Sequence, residues 1–295
     1  MCRSEVPLPR SARRKIALFT NVEERAVISS WDVDTIYQAP LMLHEEGLDD
    51  YVVERLGLDC PAGDLTPWRE VVAAQDSPEQ GLNLAFVGKY LDLLEAYKSL
   101  IEAVTHAGIQ TRTAINIIYI DAEELEREGV GALSAVDAVL VPGGFGSRGF
   151  EGKILAARYA RENRVPYLGI CYGLHAAVID IARNNAGLTG AHSTEIDAAP
   201  PHPVIGLITE WTDAKGKAEQ RSASGDLGGT MRLGSYEARL IKNSLIKKIY
   251  KSVKINERHR HRYEVNINFR EIFEKKGMIF SGLSPDKKLP EIIEL

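Results

Sequence analysis

Short apolar runs alternate with stretches of helical spacing over most of the sequence. Runs typical of strands occur at residues 82–87, 113–120, 138–141 and 165–170. Apolar positions at helical spacing occur at residues 91–106, 149–163 and 173–184. This alternation is typical of a parallel sheet covered by helices on both faces, with the run at 165–170 as a buried strand. The pattern therefore predicts an α/β domain.

The first 75 residues have a weaker pattern. The apolar run at residues 16–20 predicts a strand, residues 45–56 predict a helix, and the cluster CPAGD at residues 60–64 predicts a turn. A polar run at residues 74–80 predicts a linker. Because these few elements cannot make a domain alone, we expect a smaller part at residues 1–75 and a full domain at residues 76–295.

Composition excludes several classes of protein. The 295 residues are 44% hydrophobic and 26% charged, with a net charge of −5, so we expect binding to neither nucleic acid nor membrane. The three cysteines are far apart and include no CxxC pair, so we expect no metal site and a cytoplasmic location. No uninterrupted apolar run reaches the roughly 18 residues of a membrane span, and the first residues lack a signal-peptide core.

The segment GICYG at residues 169–173 has the form of a nucleophile elbow. Such a strand-to-helix turn needs small residues two places before and after the nucleophile, here Cys171. The helix start that follows favours a thiolate, and its free backbone N–H groups can stabilise an oxyanion. The alternative is a buried structural cysteine, and the flanking glycines favour the elbow.

A glycine-rich segment at residues 141–149 ends the preceding strand. Gly144, Gly146 and Gly149 satisfy G-x-G-x-x-G, so a dinucleotide site is the rival interpretation. That site needs an acidic residue at the end of the next strand, where Ile170 and Cys171 stand instead. The other role is a turn whose N–H groups face the carbonyl attacked by Cys171. The sequence contains no P-loop motif.

Two further segments carry candidate chemistry. Residues 257–264 alternate so that a strand would place His259 and His261 on one face and arginines on the other. That strand is either a solvated edge or part of a site. Residues 222–234, with four glycines, predict a mobile loop that could act as a lid.

Four motifs together resemble the CTP synthase family. They are VPGGFGSRG at residues 141–149, YLGICYG at 167–173, DLGGTMRLG at 226–234 and ERHRHRYEV at 257–265. The segments at residues 14–19 and 32–37 are similar to the end of the amidoligase domain of that family. The resemblance implies a flavodoxin-like class I glutamine amidotransferase domain, preceded by a remnant of an α/β amidoligase domain.

The resemblance also implies roles for individual residues. Cys171 is expected to be the nucleophile, with Gly144 and Tyr172 forming the oxyanion hole. The expected glutamine-binding residues are Gly144, Tyr172, Gly173, Leu174, His175, Glu195 and Arg262. Lys15 is expected to contact a pyrimidine nucleotide, and Asp32 with Val33 the adenine of ATP. For the complete enzyme the resemblance implies UTP, ATP and Mg²⁺, GTP as activator, and a homotetramer; it implies no cofactor in this fragment.

The sequence also departs from the family. Tyr172, Leu174 and His175 stand where the family usually has Leu, Met and Gln, and His192 stands where it has Asn. Compared with the family, the 295 residues start inside the amidoligase domain and stop before a His-Pro-Glu segment that supplies the catalytic base. We therefore expect little glutamine turnover by the chain alone. The alternatives are a different cysteine hydrolase on the same fold, such as a γ-glutamyl peptidase, and a catalytically dead regulatory fragment.

Overall fold

The computed structural model describes residues 1–89, 91, 93–207 and 231–295. The chain forms two compact units. The first consists of residues 1–81 and 97–115, and the second consists of residues 82–96 and 116–295. The predicted domain division at residue 75 stays a prediction, because this grouping also gives residues 97–115 to the first unit.

The first unit is mainly helical. Its strands β1 and β2 are two-residue segments that pair in parallel. Its elements are β1 Cys2–Arg3, α1 Arg10–Thr20, β2 Ser29–Ser30, α2 Ala39–Glu45, α3 Leu48–Leu56, α4 Thr66–Asp76 and α5 Lys98–Thr111. The helix predicted over residues 45–56 is interrupted at Gly47. This glycine lies between α2 and α3 and has a φ of +76°, which a helix does not accommodate. The predicted linker begins later than residue 74, because α4 extends to Asp76.

The strand predicted at residues 16–20 is wrong. These residues form the second half of α1, in which Ala17 is buried while Leu18 and Phe19 are exposed. The residues before them, RSARRK, contain several good helix formers, and Pro9 stands directly before the helix. The apolar run therefore continues a helix that the preceding polar residues begin.

The second unit contains a four-stranded sheet in the order β4-β3-β5-β6. Strand β5 pairs in parallel with β3 on one side and with β6 on the other. The strands and the helices that follow them are β3 Gln80–Gly88, β4 Thr113–Asp121, α6 Ala122–Glu128, β5 Ala138–Val141, α7 Phe150–Asn163, β6 Tyr167–Gly169 and α8 Tyr172–Asn184. The predicted α/β order is confirmed. The predicted helix at residues 91–106 starts later, with a 3₁₀ turn at Leu94–Tyr97 before α5.

One detail of the predicted sheet is wrong: β6 is not a buried strand. It lies at the edge of the described sheet, and Leu168 at its centre is 57% exposed. An apolar run of this length fits both a central and an edge strand, so only the strand order decides its burial.

The second unit also contains two sheets that the sequence pattern did not predict. A three-stranded sheet has the order β11-β8-β7, and a four-stranded antiparallel sheet has the order β10-β9-β12-β13. Their strands and neighbouring helices are β7 Ala191–Ser193, β8 His202–Leu207, β9 Arg232–Leu240, α9 Leu245–Tyr250, β10 Lys254–His261, β11 Tyr263–Val265, α10 Arg270–Glu274, β12 Ile279–Leu283 and β13 Pro290–Glu294.

Helix α7 connects the two largest apolar clusters of the second unit. Ala156 and Ala160 pack with β3, β5 and α6, whereas Phe150 and Ile154 pack with α8 and with strands β8 and β11. This helix is therefore buried along several faces, and it fixes the position of the loop before it. In the described part of the chain, no helix is both long and apolar enough to cross a membrane.

Candidate active site

Cys171 occupies a strained turn between β6 and α8. Its backbone has φ +53° and ψ −100°, a conformation that a non-glycine residue rarely adopts. A Cβ atom added to Gly169 would lie 2.5 Å from the backbone of Gly173, and one added to Gly173 would lie 2.2 Å from the Val141 carbonyl oxygen. The two glycines are therefore required by close backbone approach, as the predicted elbow demands.

The glycine loop that follows β5 lies directly beside this cysteine. A Cβ atom on Gly143 would lie 4.0 Å from the Cys171 sulfur. The backbone N–H groups of Tyr172 and Gly144 both point at that sulfur. These two donors form the pair that an oxyanion would need, so the structure brings the predicted oxyanion residues together.

The protonation of Cys171 depends on influences that oppose one another. Burial is the largest one and raises the pKa of the thiol, whereas the N–H groups of Tyr172 and Gly144 lower it. The lowering predicted from the helix start is therefore present, but burial outweighs it. Negative charge on Glu195 raises this pKa further.

Tyr172 contributes its side chain as well as its backbone. The ring is 1% exposed and lies 4.3 Å from the Phe150 ring, centroid to centroid. Its hydroxyl donates to the carbonyl of Gly146 at 2.5 Å. The side chain therefore anchors the glycine loop, a role that the sequence did not indicate.

Glu195 is tied to the same loop. Its Oε1 accepts from the Gly146 N–H at 3.0 Å, while its own N–H donates to the Ser193 hydroxyl at 3.2 Å. Oε2 has no hydrogen-bond partner within the described residues. The carboxylate that we expect to bind the substrate ammonium is thus held at the loop beside Cys171.

Two of the predicted glutamine-binding residues on α8 turn toward the protein interior. Leu174 packs against the apolar cluster around α8. His175 is buried near His261 and the carbonyl of Tyr263, and its Nδ1 has no hydrogen-bond partner among the described residues. Burial, together with the nearby His261, lowers the pKa of His175 to about 3, so the imidazole is neutral at neutral pH.

A buried polar cluster lies between β9, β10, β11 and β13. The guanidinium of Arg232 binds Glu264 at 3.0 Å and Glu291 at 2.7 Å. His259 and His261 lie on one face of β10, as predicted, with a ring nitrogen of each 2.8 Å apart. Burial raises the pKa of Glu264 to about 7 although Arg232 opposes the rise. Each histidine also lies within 4 Å of a glutamate, and neither bonds to Cys171.

The sequence interpretation missed the two glutamates of this cluster and the role of Arg232. Arg232 belongs to the DLGGTMRLG motif, whose residues 226–230 lie outside the described residues, as does most of the predicted lid at 222–234. A buried carboxylate cannot be recognised from residue type, because Glu is usually exposed. The sequence feature that could have indicated this cluster was Arg232, because it lies inside the DLGGTMRLG motif.

Arg262 stands between β10 and β11 and is half-buried. It makes no hydrogen bond or ion pair with a residue that the structure describes. Its neighbour Tyr263 contacts His261 and His175 through its carbonyl.

The predicted nucleotide residues belong to the first unit. Lys15 is exposed on α1, and Asp32 is exposed after β2, where it pairs with Arg3. Val33 follows it and is half-buried. Within the described residues, no group of three or more His, Cys, Asp or Glu is arranged to hold a metal ion. Their nucleotide contacts stay predictions.

Comparison with known proteins agrees with this geometry. Residues 92–295 match the family "Glutamine amidotransferase class-I", and residues 1–58 match "CTP synthase N-terminus". Among solved structures, the chain is similar to the glutaminase domain of Trypanosoma brucei CTPS with bound acivicin, at 34% identity and a TM-score of 0.61. That match covers 72% of this chain and 79% of the other.

The chain therefore belongs to the class I glutamine amidotransferases, and within that class to the CTP synthase family. It carries the glutaminase part, in which hydrolysis of glutamine supplies ammonia for CTP synthesis. The predicted family and fold class are confirmed. The match at residues 1–58 distinguishes the chain from other cysteine hydrolases on this fold.

Proposed function

We propose that Cys171 of this chain attacks the carboxamide of L-glutamine and that the ammonia released serves the amination of UTP to CTP in the complete enzyme. The observation that carries the proposal is the strained elbow at Cys171, with the N–H groups of Gly144 and Tyr172 at its sulfur. A nucleophile and two preorganised donors are the parts that acyl transfer requires.

The chemistry proceeds in two half-reactions. The Cys171 sulfur bonds to the carboxamide carbon and the carbon–nitrogen bond breaks, while the proton given up by the thiol passes to the nitrogen, which leaves as ammonia. Water then hydrolyses the thioester, releasing glutamate and returning the thiol. During each step, the N–H groups of Gly144 and Tyr172 bind the negative oxygen of the tetrahedral intermediate.

Two charged side chains are proposed to hold the glutamine backbone. The guanidinium of Arg262, which has no partner within the part of the chain that the structure describes, would bind the α-carboxylate in a bidentate fashion. The Glu195 carboxylate, whose Oε2 accepts no hydrogen bond from a described residue, would accept from the α-ammonium. Gly173, Leu174 and His175 would line the site through the backbone of α8, because the side chains of Leu174 and His175 point to the interior.

The remaining substrates belong to the complete enzyme. ATP and Mg²⁺ would drive amination of UTP there, with GTP as activator, in a cytoplasmic homotetramer. Lys15 would contact the pyrimidine nucleotide, and Asp32 with Val33 would contact the adenine of ATP. Family membership supports these assignments.

Glutamate release from L-glutamine by the purified chain tests the proposal. The chain, its Cys171→Ala variant and a Cys60→Ala control are assayed, each with and without an appended His-Pro-Glu segment of the kind the family has. We expect slow release by the chain, because His259 and His261 bond to each other and lie against glutamates and so do not serve Cys171 as a base. We expect fast release after the addition, because the appended segment carries a histidine that can serve as the base.

Release should depend on Cys171 and not on the exposed Cys60. Release that persists in Cys171→Ala would contradict the proposal, and so would its absence from the extended chain. A rate for the chain alone equal to that of the extended chain would show that a base lies within these 295 residues.

A further inference from the structure

A lysine lies buried beneath the glycine loop of the active site. Lys153, on the first turn of α7, is 0% exposed. Its Nζ donates to the carbonyl of Pro142 at 3.4 Å and lies 5.4 Å from the centre of the Tyr172 ring. In the described part of the chain, no carboxylate pairs with it. An ammonium buried without an anionic partner is costly, so its position calls for a reason.

The position of this ammonium relates it to the oxyanion hole. A Cβ atom on Gly144 would lie 3.4 Å from Lys153 Nζ and 3.5 Å from the Tyr172 ring. The ammonium is therefore packed against the same two residues whose N–H groups point at the Cys171 sulfur. The lysine approaches from the interior, on the side of the loop that α7 covers.

The charges around this site are unevenly distributed. Lys153 faces a second buried lysine, Lys89, whose Nζ donates to the carbonyl of Phe145 in the same loop. Burial, together with the charge on Lys89, lowers the pKa of Lys153 to about 8, although negative charge on Cys171 opposes the fall. Glu195 and Glu264 are the carboxylates whose charge acts on Cys171. At neutral pH the lysine is thus still mostly charged.

We propose that Lys153 is a positioning residue of the glutaminase site, whose buried positive charge stabilises the thiolate of Cys171 and the oxyanion held by Gly144 and Tyr172. It acts through the glycine loop and touches no reacting atom. The attraction is reciprocal: the thiolate stabilises the charged form of Lys153, and charged Lys153 stabilises the thiolate to the same extent. The inference rests on the proposed role of Cys171 as nucleophile.

The pH dependence of Cys171 alkylation tests this proposal without requiring glutamine turnover. Iodoacetamide labelling of the purified chain is followed by peptide mass spectrometry between about pH 6 and pH 10, with the exposed Cys60 as an internal reference. Lys153→Met removes the charge at similar volume, and Lys153→Gln removes it while keeping a donor for Pro142. Lys248→Met on the exposed side of α9 is the matched control.

Both Lys153 variants should lower the labelling rate of Cys171 about tenfold near pH 7, where the lysine is mostly charged. This difference from the unmodified chain should shrink as the pH rises past about 8, because the lysine then becomes neutral. Labelling of Cys60 should not change, and Lys248→Met should match the unmodified chain. The variants should also be at least as resistant to urea, because removing a buried unpaired charge relieves a desolvation cost.

An unchanged pH profile in either Lys153 variant would overturn the proposal. Retention of the profile in Lys153→Gln alone would show that the hydrogen bond matters instead of the charge. Unfolding of both variants would also overturn it, because a charge that serves Cys171 is dispensable for folding. If glutamate release does not depend on Cys171 but the profile shifts, the proposed function fails while the charge effect stands.

Discussion

Replacing His175 with glutamine should make the second unit less sensitive to acid. Burial and the nearby His261 lower the pKa of His175 to about 3, whereas an unfolded histidine has a pKa of about 6.5. The folded state therefore binds this proton less readily than the unfolded state. The stability contributed by the neutral imidazole is complete above about pH 6.5 and is lost as the pH falls toward 3.

The expected loss follows from these two values. Between pH 7 and pH 5 the unfolded chain takes up most of one proton that the folded chain refuses, which lowers the free energy of unfolding by about 2 kcal/mol. Glu264 acts in the opposite direction, because burial raises its pKa to about 7 and its stabilising effect grows as the pH falls. Since Glu264 is present in both proteins, it cancels when the variant is compared with the unmodified chain.

Hydrogen exchange of peptides from α8, corrected for the intrinsic exchange rate, measures the free energy of opening at pH 7 and pH 5. The difference between the two pH values should be about 2 kcal/mol smaller in His175→Gln than in the unmodified chain. Leu174→Met, a non-titrating change in the same helix, is the control and should shift both values equally. An equal acid-induced loss in His175→Gln and the unmodified chain would refute a buried neutral imidazole.

Two further substitutions test the elbow and the substrate clamp. Gly173→Ala places a Cβ atom against the backbone of β5, so it should destabilise the second unit by about 1–3 kcal/mol and slow the alkylation of Cys171. Gly131→Ala is the control, because its added Cβ atom meets open space, and it should have neither effect. If both variants lowered the stability against urea equally, the close approach at Gly173 would be contradicted. Arg262→Ala should weaken protection of Cys171 by glutamine roughly 10-fold to 150-fold, the scale of a charge-assisted hydrogen bond, whereas Arg260→Ala, which changes an exposed side chain of β10, should not. If Arg262→Ala left the protection of Cys171 by glutamine unchanged, the proposed role of Arg262 in glutamine binding would be contradicted.

Local patterns predicted the elbow because its two glycines and its cysteine stand within one short segment, residues 169–173. Gly169 and Gly173 face backbone atoms within a few residues or on the adjacent strand, and the turn leaves a recognisable spacing. The alternation of strand and helix through β5, α7 and α8 is equally local. These features followed from the sequence without knowledge of the tertiary structure.

Features that depend on distant pairing could not be predicted in this way. Strand β13 joins the antiparallel sheet and brings Glu291 to Arg232, which lies 59 positions earlier in the chain. The burial of Lys153 is equally non-local, because a lysine at that place in an isolated helix would be expected on the surface. The strand wrongly predicted within α1 has a different cause, because a five-residue apolar run does not distinguish a strand from part of a helix.

Covalent labelling with an L-glutamine analogue that carries a chloroketone in place of the carboxamide tests the central claim most directly. The claim is that Cys171 is a nucleophile in a glutamine-shaped site, and peptide mass spectrometry of the labelled chain locates the modified cysteine. The predicted result is labelling of Cys171 in preference to Cys2 and the exposed Cys60, suppressed by L-glutamine and absent with the D-enantiomer. Labelling of Cys60 and Cys171 at equal rates, or labelling of Cys171 that L-glutamine does not suppress, would contradict it.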